Sequence, residues 1–118
     1  MAKLKIVNRT RQTVLATEAD VADTSLKRNV GLLKHKSLPE GQGLWIVPCE
    51  GIHTFGMKFA IDVVFLDRKK KVVKIRPSMG AWRISLCLWA HSVLELPAGT
   101  SEKARLAKGD ELTFEELE

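Results

Sequence analysis

Tyrosine is absent from the sequence, and the aromatic complement is three Trp and four Phe. None of these rings interleaves the densest basic run, Arg68-Lys69-Lys70-Lys71, so that run lacks the stacking platforms of a single-strand nucleic-acid groove. Cysteine is scarce: Cys49 and Cys87 cannot make a disulfide-dense scaffold, and in a reducing compartment both are thiols. The longest uncharged apolar-rich stretch, residues 84–94, has 11 residues against the ~20 that cross a bilayer. Met1 to Ile6 alternates charged and apolar residues, with no secretory apolar region. A cytoplasmic chain with no membrane partner is expected. Also missing are low-complexity segments, repeats with periods of about 20 to 50 residues, linkers, a Gly-rich phosphate loop and a helix-turn-helix pair.

What remains is 118 residues, enough for one domain (1–118) with one core. Its 45% apolar and 28% charged content excludes wholesale disorder. Nineteen Lys and Arg against 14 Asp and Glu leave +5, which permits an anionic partner without requiring one. Leu4–Val7 and Thr13–Ala16 flank a polar turn and read as a hairpin. Ala22, Leu26, Val30 and Leu33 recur at helical spacing, which predicts one substantial helix near residues 18–34, capped by Thr17 or Asp20. Strands are expected at 44–47, 61–66, 71–75, 92–96 and 112–114, with a short helical turn near 101–106 capped by Thr100 or Ser101. The fold class is α+β, mainly antiparallel β, as a small barrel-like or folded sheet.

Four groups of residues carry candidate chemistry. Strand 61–66 is apolar on both faces except at Asp62, so that carboxylate is covered and needs a partner: Lys58, His53, Arg83 or backbone amides. Its first reading is structural; the second is a catalytic or ligand-binding carboxylate. Cys49-x-x-x-His53 and Cys87-x-x-x-His91 have the letters of a zinc site. Residues four apart on a strand lie about 13 Å from each other, however, so buried thiols and ordinary histidines come before zinc or a Cys–His nucleophile, and no cofactor is expected. The basic hairpin 68–76, including Lys74 and Arg76, reads first as a solvated turn and second as a surface for nucleic acid or another anionic partner. Trp45, Trp82 and Trp89 sit in apolar runs and read as core, though Trp82-Arg83 on a loop can also floor a binding site.

The run His53-Thr54-Phe55-Gly56-Met57-Lys58-Phe59-Ala60-Ile61-Asp62-Val63-Val64-Phe65-Leu66-Asp67 resembles the central signature of domain-of-unknown-function family 192, of bacteria and archaea. Val93-Leu94-Glu95-Leu96-Pro97-Ala98-Gly99, Gly31-Leu32-Leu33 and Gly109-Asp110-Glu111-Leu112 resemble its other motifs in order, covering about residues 14–117. The chain is similar to the Phe-Gly-Met branch, with Ala60 where Pro is usual and Lys58 where Arg is common. The resemblance implies a mainly β fold with one helix and no particular activity. Three function classes follow: a small binding or accessory domain with a polar site at 53–62, drawing on His53, Met57, Lys58, Asp62, Trp82 and Arg83; an enzyme using Asp62 with His53, Lys58 and Glu95; and an anionic-partner module. Substrate, partner and oligomeric state are left open.

Overall fold

A computed structural model describes residues 3–117. The chain runs β1 (Lys3–Asn8), β2 (Thr13–Ala22), α1 (Ser25–Val30), β3 (Gln42–Ile46), β4 (Gly51–His53), β5 (Ile61–Leu66), β6 (Val72–Met79), β7 (Ile84–Leu86), β8 (Ser92–Pro97), α2 (Thr100–Lys103) and β9 (Leu112–Leu117). Seven strands form one mixed sheet in the order β6-β5-β8-β3-β2-β1-β9. Neighbours are antiparallel except β2 and β3, which are parallel. β4 and β7 pair separately as a two-stranded ribbon.

β5 lies between β6 and β8 with every residue buried, as its unbroken apolar run requires. The alternation of a strand divides its side chains between two cores. Val64, Leu66, Leu94 and Leu96 meet Leu4, Ile6 and Leu15 on one face, around which the sheet curls. Val63, Phe65 and Val93 meet Ile46, Met57 and Leu32 on the other, beneath the non-sheet segments. The sheet is not a closed barrel. Its edges touch only near a bridge from Lys71 to Glu111, with Leu112 N donating to Lys70 O and Val72 N to Asp110 O.

The expected helix at 18–34 is corrected to six residues, 25–30. Residues 18–22 instead pair with β3, from Glu18 opposite Gln42 to Ala22 opposite Ile46. Ala19 and Ala22 are buried there as strand residues, so part of the apparent helical stripe belongs to the sheet. α1 buries none of its residues, and Leu26 is 74% exposed. Its cap is Thr24, whose hydroxyl accepts from Lys27 N at 3.2 Å, not Thr17 or Asp20. Gly31, at φ +50°, ends it in a conformation that disfavours a side chain. The second helical turn also shortens, to α2 (Thr100–Lys103); its N-cap is Gly99, which has no side chain to cap with, not Thr100 or Ser101.

The β1–β2 turn is tied to the last strand through Asp110, whose Oδ2 accepts from Asn8 Nδ2 at 2.8 Å, Ala107 N at 2.9 Å and Arg11 Nε at 3.2 Å. Burial pushes this carboxyl up, but those donors and the Arg11 charge outweigh it and hold it below the usual range. Asn8→Ala leaves the buried carboxylate short of a donor and is expected to cost about 2 kcal/mol in urea unfolding. A loss under about 0.5 kcal/mol would contradict this tie.

Candidate functional site

The two carboxylates set within apolar strands, Asp62 and Glu95, end up on opposite faces of the sheet. Val63, not Asp62, stands opposite Glu95 in the β5–β8 ladder, while Asp62 stands opposite Leu96. Asp62 therefore shares the face of Val64 and Leu96, and Glu95 that of Val63 and Val93.

Asp62 is fully buried and its oxygens are occupied. Oδ1 accepts from Ser78 N at 2.8 Å and Gly99 N at 3.3 Å; Oδ2 accepts from Ser101 N at 2.8 Å and Ser101 Oγ at 2.7 Å. Backbone amides supply most of these donors, and Lys58, His53 and Arg83 supply none. The carboxylate thus fastens the end of β6 and the β8–α2 turn to β5.

Glu95 has a different setting. It is almost fully buried between Leu44 of β3 and Val63 of β5, on the floor of a cleft of about 280 Å³. The walls come from α1 (Arg28), the turn after it (Gly31, Leu33) and the chain after β3 (Cys49, Ile52, Met57). No described group donates to its carboxyl or pairs with its charge. Burial without compensation pushes it up from 4.5 to about 7. Above that, at the rim, the Arg28 guanidinium is spent on neutral acceptors: Asp23 O at 3.1 Å, Val47 O at 3.5 Å and Ser25 Oγ at 3.4 Å.

Of the other candidates, His53 and Met57 line this cleft, His53 exposed and Met57 buried. His53 Nδ1 accepts from Phe55 N at 3.3 Å. Lys58 is exposed and stands apart from the cleft lining. The cleft also takes in Cys49, whose Sγ donates to Gly51 O at 3.1 Å; burial pushes its thiol up, with the Glu95 charge adding to this. That favours a neutral thiol over a nucleophile. Cys49 N donates to His91 O and Cys87 N to Glu50 O, so the two Cys–His segments adjoin through their backbones. Among the described residues no three His, Cys, Asp or Glu side chains converge as a metal site, and both cysteines are free.

The basic hairpin does not present one face. Lys70 Nζ lies 5.7 Å from the Trp45 ring and 5.4 Å from the Phe114 ring, on the sheet face of the first core. Lys74 Nζ donates to Leu86 O at 2.7 Å on the other. The expectation of three core tryptophans is also corrected. Trp45 is half-buried against Phe114, whereas Trp82 and Trp89 are exposed. Thr54, fully buried, takes the place of a core anchor there: it exchanges backbone bonds with Arg83 and Trp82 and donates its hydroxyl to Gly80 O at 2.6 Å. The Arg83 side chain, left free by this, is exposed. No helix among the described residues is long and apolar enough to cross a membrane.

Sequence reasoning placed Glu95 only as an assistant to Asp62 and passed over Arg28 and Ile52. The available signal was an acid inside Val93-Leu94-Glu95-Leu96, the same pattern that singled out Asp62.

The model of the DUF192 family, described as Uncharacterized ACR, COG1430, matches residues 6–114. The chain is 33% identical over 115 residues to the UPF0127 protein PH1112 of Pyrococcus horikoshii, covering 92% of this chain and 97% of that protein. It is 29% identical over 118 residues to the UPF0127 protein PF1050 of Pyrococcus furiosus, covering 95% and 99%. A crystal structure of a protein of unknown function from Novosphingobium aromaticivorans shares the fold at TM-score 0.81 with 16% identity, covering 94% of this chain and 83% of that one. A chain from Sinorhizobium meliloti does so at TM-score 0.83 with 17% identity, covering 96% and 92%.

Proposed function

The chain belongs to the DUF192 family, and from that premise we propose that it is a small-ligand-binding domain whose site is the Glu95 cleft. One observation carries this: a buried carboxyl opens into a cleft and no group among the described residues pairs with it. A group left so is costly unless something else completes it. Asp62, with both oxygens hydrogen-bonded, supports no such role and fits a structural one.

The cleft sets the ligand's class. About 280 Å³ lies at the small end of ligand sites, and its walls are mixed: Leu33, Ile46, Ile52 and Met57 are apolar, while Arg28, Asn29, Cys49 and His53 bring polar groups. The group that best completes an ionised, unpaired carboxylate is a protonated amine, which donates charge-assisted hydrogen bonds. The ligand is therefore a compact amine.

Titrating the protein with alkyl and aryl amines and their neutral hydroxyl isosteres, followed by backbone NMR shifts, tests this. Amines are expected to shift Cys49, Ile52 and Met57. Their affinity should fall about tenfold per pH unit below pH 7, as Glu95 takes up its proton. Glu95→Gln should remove the preference for amine over isostere. Equal binding of amine and isostere, or amine binding that survives Glu95→Gln, would overturn the assignment.

A further inference from the structure

The outer face of the β4–β7 ribbon carries an apolar patch that adjoins the Glu95 cleft at Gly51 and His53 but lies outside it. In β7, Ser85 points inward and is buried, so Ile84 and Leu86 point out. Ile84 stands opposite His53, and Leu86 lies over Gly51, where a Cβ would collide with it. The Phe55 ring continues the patch, 4.9 Å from the His53 ring and stacked at 5.6 Å on Trp82. Leu88 and Trp89 follow in the turn after β7. Trp82, Ile84, Leu86, Leu88 and Trp89 are each between 57% and 85% exposed, a run of large apolar side chains that water alone does not favour.

Cations rim the patch. Arg83 is exposed between Trp82 and Ile84, Lys74 Nζ sits on Leu86 O, and Arg68 lines a shallow hollow with Leu88 and Trp89 that also holds Glu50. We propose that this face docks on an anionic lipid bilayer, with Trp82, Leu88 and Trp89 entering the headgroup boundary and Arg68, Lys74 and Arg83 meeting lipid phosphates. Tryptophan favours that boundary, where its ring is apolar and its N–H stays wet. The cationic rim adds attraction to anionic lipid within a Debye length. A fluid interface also accepts protruding side chains without a matching hollow. A second copy of the chain fits less well, because a two-fold interface would set the Arg68, Lys74 and Arg83 rims against their own equivalents. The lack of a spanning run, from which no membrane partner was expected, bears on insertion across a bilayer and not on surface docking.

The full chain is to be sedimented with vesicles of phosphatidylcholine alone and of equal parts phosphatidylcholine and phosphatidylglycerol, while tryptophan emission is followed. Binding is expected on the mixed vesicles only, with a blue shift, and should weaken as salt rises. The double variant Arg68→Gln/Arg83→Gln should lower the partition coefficient about fivefold per cation removed. Trp82→Ser/Trp89→Ser should lower it by at least about tenfold, and both pairs, being exposed, should leave the urea midpoint within error. Absence of binding to the mixed vesicles would overturn the proposal, as would binding that the tryptophan variant leaves intact. A dimer in sedimentation equilibrium that Trp82→Ser/Trp89→Ser dissolves would give the face to a second copy instead.

Discussion

Asp62→Ala is expected to remove about 4 kcal/mol from a domain whose size allows roughly 5–15 kcal/mol in all. The carboxylate is fully buried and accepts four hydrogen bonds: three from the amides of Ser78, Gly99 and Ser101, one from the Ser101 hydroxyl. Hydrogen bonds to a charged group each contribute about 1.5–3 kcal/mol, less than additively when they share an acceptor. Water can reach Ser78, which is exposed, but Ser101 stays buried and loses the acceptor of both its amide and its hydroxyl. Asp62→Asn keeps the shape but loses the charge and one acceptor, and should cost about half as much. Urea unfolding of the two variants measures this; a loss below about 1 kcal/mol for Ala would mean that the carboxylate does not hold these turns together.

Glu95→Gln should act in the opposite direction and raise stability at alkaline pH. In the folded chain Glu95 holds its proton up to about 7, whereas an unfolded glutamate releases it near 4.5. Between those values the folded state binds more protons, so raising the pH favours unfolding. Stability from this group is intact below about 4.5, declines through the window, and levels off above about 7. At about 1.4 kcal/mol per pH unit the gap comes to about 3 kcal/mol. Glutamine carries no charge to bury, so at pH 8 the variant should exceed the parent by about 3 kcal/mol, with the excess vanishing below pH 4.5. Parallel urea titrations across that range cancel the other titrating groups. A difference that does not change with pH would show that Glu95 is compensated in the fold.

Much of the sheet is legible from periodicity, and its limits have physical causes. The opening hairpin and the strands at 61–66 and 92–96 are long enough for alternation or unbroken apolar runs to identify them. Residues 18–22 mislead because alanine suits either period, and here pairing with β3 decides it. β4 and β7 are three residues each, below what a pattern can register, and they exist because each supplies the other's hydrogen bonds. The candidate carboxylates show the same boundary. Both Asp62 and Glu95 are visible as acids inside apolar strands, but a strand buried on both faces gives no sign of which side a residue takes. The register Val63–Glu95 settles it, and the register is a long-range fact. The tryptophans fail for another reason: an apolar neighbourhood in sequence placed Trp82 and Trp89 in the core, while they lie in the bend before β7 and the turn after it, both exposed.

Glu95 is a buried carboxyl that opens into the cleft and pairs with no group among the described residues. A carbon-13 NMR titration of side-chain carboxyls, with the Glu95 signal assigned by its loss in Glu95→Gln, reads this directly. A midpoint near 7 that moves down when a compact amine is added is the predicted result. A midpoint near the ordinary 4.5, unmoved by amine, would contradict it.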